Sequence, residues 1–426
     1  MFLDYFLHMP SKYTKAVRWS ARIFFLIVAI LLLMSGPLPV WILKIFQPSS
    51  GFIKEVIMLP AWMAKIVPSL SPLSFLSSLE AHHGGRLIVL WILPPAILAI
   101  AAIFKGRFFC RRYCPLGTVY SAACQKNFKK HIFKKKFSAY LFWGIIFSSA
   151  IGFPLFLFLD PLSTFSRLNL VFSGSLTLAA VIPGLIFPIF LIVGLIQPMS
   201  WCSHFCPLGH MFDLMHKTDI RYTERFRHER REIVTGLLFS IPLALFVKKN
   251  PLVRDESYPV LPPGAGNRKT FSSLCTRCYA CVNVCPTKIL TVGFPENADV
   301  SRWFQPEMNG YKGTCQESCN NCTQVCPVGA IRKLSFEEKH TTQIGVAEVN
   351  KSKCIAWNDG EYCMVCDEFC PYRAIDVNPS ESGLSRPVVN PEICRGCGIC
   401  QNACPVRKNG AAIVVRGIKE QRRIKK

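Results

Sequence analysis

Sixteen of the chain's 21 cysteines fall between Cys275 and Cys404, in four groups that each end in Cys-Pro. They are Cys275, Cys278, Cys281 and Cys285; Cys315, Cys319, Cys322 and Cys326; Cys354, Cys363, Cys366 and Cys370; and Cys394, Cys397, Cys400 and Cys404. The first and fourth groups follow C-x-x-C-x-x-C-x-x-x-C-P, the spacing that holds [4Fe–4S] clusters. Three thiolates two residues apart can wrap one face of a cubane in a tight loop, and the fourth, fixed by proline, turns toward a neighbouring cluster. The second and third groups keep C-x-x-C-x-x-x-C-P and displace only their first cysteine. Zinc sites use paired C-x-x-C units without this rhythm of third and fourth thiols, and disulfides would not repeat one Cys-Pro ending four times. The expectation is four [4Fe–4S] clusters in two modules. The spacing leaves the pairing open: first with second and third with fourth, or the two regular groups together with the irregular ones between them. No C-x-x-C-H occurs, so the sequence offers no covalent haem site.

Four more cysteines form two matching motifs, C-x-x-x-C-P-L-G, at Cys110 and Cys114 and at Cys202 and Cys206. Each follows a long apolar run. Brought together, they are the ligand set of a fifth cluster; zinc or a redox-active thiol pair is the rival reading. A single copy would read as a helix-stopping turn, whereas two equivalent copies point to a shared site. Cys124 has no partner spacing and reads as a free thiol.

The elements that carry these residues differ between the two halves. Five apolar runs precede residue 250: Ile23 to Leu43, Leu87 to Phe104, Phe137 to Leu159, Leu176 to Met199, and the shorter Ile233 to Val247. A membrane-crossing helix needs about 20 such residues. Ten Lys or Arg and no acid lie from Lys105 to Lys136, whereas Arg167 alone lies between the third and fourth runs. By the positive-inside rule the amino terminus and both C-x-x-x-C-P motifs face the cytoplasm.

The expected fold is therefore a membrane α-helical bundle of four or five transmembrane helices, followed by an α+β polyferredoxin domain of two two-cluster modules. The divisions are a basic amino terminus (1–22), a four-helix membrane domain (23–210), a linker with a fifth helix (211–250) and the cluster domain (251–426). The localisation expected is the inner membrane, multi-pass, with the cluster domain periplasmic. The formal charge of +24 then reflects topology and lipid contact, and nucleic acid is not an expected partner.

The first 210 residues resemble NapH, the membrane subunit of the quinol dehydrogenase that feeds periplasmic nitrate reductase, in their four runs, the segment "LSPLSFLSSL" and the two C-x-x-x-C-P motifs. The remainder resembles the ferredoxin-type NapG and MauM proteins in "ERREIVTG", in "VLPPGAG" before the first group, and in the order of the four groups. The chain thus resembles a fusion of the two, without the ferredoxin tail that NapH-like proteins carry. The resemblance implies a quinol dehydrogenase subunit that takes electrons from membrane quinol and passes them to a periplasmic reductase. NosR-like and RdxA-like relatives suggest the alternative of an accessory or regulatory polyferredoxin.

Quinol oxidation needs a proton acceptor, for which histidine is suited. The candidates are Glu80, His82 and His83, beside Arg86, and His204, which lies between Cys202 and Cys206 and ahead of His210 and His216. On this topology about 30 Å of hydrocarbon would separate the C-x-x-x-C-P site from the cluster domain; either a further cofactor or partner bridges it, or the thiol site is not on the main electron route.

Overall fold

The computed structural model describes residues 66–74, 89–123, 137–150, 159–172, 178–196, 201–216, 258–293, 303–379 and 385–424, with isolated positions at 19–20, 23–24, 26–27 and 234. The amino-terminal half is helical: α1 (Ile66–Ser69), α2 (Val89–Lys105), α3 (Phe108–Arg112), α4 (Pro115–Ala123), α5 (Ser138–Ala150), α6 (Pro161–Phe172), α7 (Leu178–Ile196), a π-helical turn at Trp201–Phe205, and α8 (Pro207–Met215). Pro115, Pro161 and Pro207 each open a helix, where the missing N–H leaves no hydrogen bond unmade. The core packs Phe109, Leu116, Phe142, Leu162, Phe165, Trp201, Leu208 and Phe212 around the thiols of Cys114 and Cys206.

The expectation of transmembrane helices is not met. Among the described residues no helix is long and apolar enough to cross a membrane. The second run gives a helix of 17 residues and the third one of 13. At 1.5 Å per residue both fall short of the roughly 30 Å hydrocarbon core. The fourth gives 19 residues with Pro183 and Pro188 inside, each of which removes a helical hydrogen bond. A membrane bundle and a multi-pass inner-membrane location are therefore not supported. Apolar side chains do remain exposed on α2 (Leu93, Ile97, Ile100, Phe104) and α7 (Ile182, Leu185, Ile189, Ile192). The first and fifth runs lie almost wholly outside the described residues, as do Glu80, His82, His83 and Cys124.

The carboxy-terminal half is built from short helices and small sheets, as its sequence implies. The helices are α9 (Arg268–Leu274), α10 (Ala280–Asn283), α11 (Asn321–Gln324), α12 (Phe336–Thr341), α13 (Val365–Glu368) and α14 (Ile399–Ala403). Three antiparallel pairs accompany them among the described residues: β1 (Leu290–Val292) with β2 (Pro306–Met308), β3 (Thr342–Val349) with β6 (Ile413–Arg423), and β4 (Ile375–Pro379) with β5 (Ser385–Val389). In register, Leu290 faces Met308, Val346 faces Arg416 and Asp376 faces Val388.

Two separate cores result. One gathers all the cysteines of the first and second groups but Cys319 with Phe271, Tyr279, Leu290 and Met308. The other gathers all those of the third and fourth but Cys397 with Ala347, Ala374, Ile375 and Ile413. Bridges from Tyr258 to Gly417 and from Asn267 to Glu420 tie the start of the first module to the last strand of the second. A bulge in β3 between Gln343 and Gly345 lets the fourth cysteine loop lie against it. Gly396, at φ +80°, sits so close that a Cβ would meet the Gly345 backbone at 2.6 Å.

Candidate cluster-binding sites

Each carboxy-terminal site takes three thiols from one cysteine group and one from its neighbour. Cys354, Cys363 and Cys366 line one cavity with Cys404. Cys394, Cys397 and Cys400 line another with Cys370. Cys315, Cys319 and Cys322 line a third with Cys285. The remaining thiols, Cys275, Cys278 and Cys281, stand beside Cys326: after burial, Cys278, Cys275, Cys326 and then Cys322 push the Cys281 thiol well up. In chain order we denote these sites I (with Cys275), II (with Cys315), III (with Cys354) and IV (with Cys394). Of the two pairings that the spacing leaves open, the thiols are arranged as the sequential one.

The order in space differs from the order in sequence. Sites I and II exchange a cysteine, as do III and IV. Between modules, the Cys315 N–H donates to the Cys397 carbonyl at 2.9 Å, which joins the ligand loops of sites II and IV. Lys339 is buried here and its Nζ donates to the carbonyls of Gln316 and Cys319. It is held by α12, whose start is fixed by a capping box between Ser335 and Glu338.

The C-x-x-x-C-P pairs also converge. Burial, followed by Cys114, Cys206 and Cys202, pushes the Cys110 thiol far up, so all four thiols share one locale. The repeated Cys-Pro-Leu-Gly has a local cause. Cys206 caps α8 in an extended conformation, and its Sγ accepts from the Gly209 N–H at 3.4 Å. At Cys114, the backbone amides of Gly117 and Leu116 act likewise and oppose the effect of burial. Each pair thus aims one sulfur at the amides of a helix start, which favour negative charge. Arg107 fastens the locale. Its Nε donates to Asp213 Oδ1 at 2.7 Å, its Nη2 to Asp213 Oδ2, and its Nη1 to the Cys202 carbonyl at 2.8 Å.

The donor chemistry fits iron–sulfur clusters. All twenty described cysteines are free thiols. Backbone amides reach several sulfurs: Ile331 N to Cys326 at 3.4 Å, Ala374 N to Cys370 at 3.4 Å and Ala347 N to Cys394 at 3.5 Å. Such bonds tune cluster potentials. Among the described residues no three His, Cys, Asp or Glu side chains gather tightly enough to hold a single metal ion. Burial pushes the thiols of Cys114 and Cys275 up to about 11 and those of Cys206 and Cys326 up to about 12. They hold their protons until a metal displaces them.

The other sequence candidates fare unevenly. His204 is half-buried, inside the π-helical turn between Cys202 and Cys206. His216 packs against Gly106, and its Nδ1 lies 3.0 Å from the Ile103 carbonyl, so it closes the end of α2. Sequence reasoning missed Arg107, Asp160, Arg167 and Lys339. Arg167 was read only as a loop charge, yet it is fully buried in α6. A lone arginine in an apolar stretch was its one available signal.

Crossed four-thiol sites carried on short helices and two-stranded sheets define a class, the ferredoxin-type iron–sulfur proteins, whose work is electron transfer. The profile of the 4Fe-4S dicluster domain matches residues 274–330 and 361–408, and that of the 4Fe-4S binding domain matches 87–139 and 179–228. The ferredoxin-type protein NapF of Escherichia coli K12 is 32% identical over 153 residues, which are 36% of this chain and 84% of NapF. The methylamine utilization ferredoxin-type protein MauM of Methylobacillus flagellatus is 32% identical over 199 residues, 45% of this chain and 82% of MauM. NapG of Escherichia coli K12 is 28% identical over 190 residues, 41% of this chain and 78% of NapG. The chain belongs to this family of NapF- and MauM-type ferredoxin proteins. No solved structure matches it.

Proposed function

We propose that the chain conducts single electrons through five [4Fe–4S] clusters, in the order amino-terminal site, I, II, IV, III. The observation that carries this reading is the crossed thiol arrangement: three cavities, each lined by three cysteines of one group and the fourth of its neighbour. Crossed ligation is how two-cluster ferredoxins bring their centres together. The hydrogen bond from Cys315 to Cys397 supports the step from II to IV. The step from the amino-terminal site to site I runs along α6. Burial raises the thiols of Cys114 and Cys206, and Asp160, at the start of α6, adds a little to the rise; Ser166, on the same helix, donates to the Cys278 carbonyl at 2.6 Å. Asp160 and Ser166 lie six residues apart, about 9 Å at 1.5 Å per residue.

The electron source proposed is a quinol, on the NapH-like motifs of the amino-terminal half, and the acceptor is a respiratory reductase. Oxidation of one quinol releases two electrons, taken singly, and two protons. His204, half-buried in the turn between Cys202 and Cys206, is a side chain suited to accept one, and the other passes to solvent.

Iron and sulfide analysis tests the cluster count. Replacement of Cys110, Cys114, Cys202 and Cys206 by Ser together should lower iron from about 20 to about 16 per chain. An unchanged content would remove the fifth cluster. Anaerobic mixing with decylubiquinol should bleach the cluster absorbance; no bleaching would remove the quinol.

A further inference from the structure

The amino-terminal half grips the loop of site I through three consecutive carbonyls. Arg167 Nε donates to the Arg277 carbonyl at 3.0 Å and its Nη2 to the Thr276 carbonyl at 3.2 Å. Ser166 Oγ donates to the Cys278 carbonyl at 2.6 Å. Thr276 and Arg277 separate Cys275 from Cys278, so the grip falls on the stretch that carries the first two ligands. Arg167 is 0% exposed and Arg277 1%. Arg277 holds the same loop from its own side, with Nε donating to the Trp303 carbonyl at 2.9 Å and Nη1 to the Cys275 carbonyl at 3.2 Å. Two guanidiniums are thus dehydrated beside one cluster site. Tyr279, Asp160 at the start of α6 and Cys278 face Arg167, and Cys275 and Tyr279 face Arg277.

Burying a cation is costly unless negative charge faces it. Four thiolates around a [4Fe–4S] core give a net anion, and one-electron reduction makes it more negative. Arg277 belongs to the loop and is always present. Arg167 belongs to α6 and is present only when the two halves are docked.

We propose that Arg167 makes the docking of the amino-terminal half and the reduction of the site I cluster mutually dependent. The proposal rests on the reading that Cys275, Cys278, Cys281 and Cys326 hold a cluster. In this step one electron arrives, no bond forms or breaks, and no proton moves, because the compensating charge is already in place. Linkage then sets a strict equality: the factor by which docking favours reduction is the factor by which reduction tightens docking. Electrons from the amino-terminal centre would meet their best acceptor while that centre is docked.

Potentiometric titration followed by electron paramagnetic resonance tests this in the full-length, cluster-loaded protein. Arg167→Gln should cut the reduction equilibrium of one cluster about tenfold, a fall of about 59 mV for one electron, and leave the others in place. Arg167→Lys keeps the charge and should recover most of that fall. In the wild type, amide hydrogen exchange over residues 161–172 should slow about tenfold when dithionite reduces the oxidised protein. Unchanged midpoints in a fully loaded Gln variant, or an equal shift of every cluster, would overturn the proposal. So would equal exchange in the two redox states, a comparison that needs no variant to fold. Missing iron and sulfide in the wild type would instead defeat the cluster reading itself.

Discussion

The two C-x-x-x-C-P-L-G motifs are identical in sequence pattern but not in space, and an alanine at each glycine should reveal it. A Cβ on Gly117 would stand 2.5 Å from the Cys110 carbonyl oxygen, a contact with backbone that nothing flexible can relieve. On Gly209 the nearest atoms, the Arg107 guanidinium and the Cys202 carbonyl, lie at 3.4 Å, close to ordinary contact. Alanine in place of glycine in a helix is worth roughly 0.5–1 kcal/mol, while forcing an extra carbon into packed space costs about 1–3 kcal/mol. Gly117→Ala carries both effects and should lose about 1–2 kcal/mol. Gly209→Ala carries mainly the first and should be neutral or slightly stabilising. The difference of about 2 kcal/mol corresponds to roughly 4–8 °C in melting temperature for a half of this size. Because Gly117 presses on the backbone of Cys110, a ligand of the proposed fifth cluster, its variant should also lose iron from the amino-terminal site, whereas Gly209→Ala should not. Thermal melts by circular dichroism and iron per chain measure both effects. Equal behaviour of the two variants, or greater damage from Gly209→Ala, would refute the geometry.

Further outcomes follow from the same arrangement. Cys404→Ala should damage the cluster shared with Cys354, Cys363 and Cys366, not the one held by its own sequence neighbours Cys394, Cys397 and Cys400; spectra of the matching Cys354→Ala and Cys394→Ala variants identify which signal is lost. Arg107→Ala should weaken the amino-terminal site by about 1.5–3 kcal/mol, the usual worth of hydrogen bonds to a charged group, read as earlier iron loss on heating. In the metal-free protein the buried thiols lie above their ordinary 9.0, at about 11 for Cys114 and Cys275 and about 12 for Cys206 and Cys326. The folded state therefore holds these protons more tightly than the unfolded state. Their contribution is fully present below pH 9 and is lost as pH rises through 11 to 12. Melting temperatures across that range should fall for the metal-free protein and change less for the loaded one, whose thiolates are already deprotonated.

The sequence by itself determined the chemistry. The iron–sulfur class was legible in the sixteen cysteines of four Cys-Pro-terminated groups, because each loop needs only a few residues to present three thiols. The paired C-x-x-x-C-P-L-G motifs were legible for the same reason, since Cys, Pro and Gly are the residues that a helix start built around a sulfur requires. Apolar composition misled, because it records how much oily surface an element has and not how long an unbroken helix it forms. Among the described residues those runs give helices of 17, 13 and 19 residues. Only the tertiary structure decided which thiols share a site, because the fourth cysteine of each group reaches across to its neighbour over a distance that sequence spacing does not encode. The same holds for the contact of Cys315 with Cys397 and for Arg167, one basic residue among fifty. Its meaning comes from carbonyls more than a hundred positions away, brought within 3.0 Å and 3.2 Å by the docking of one half on the other.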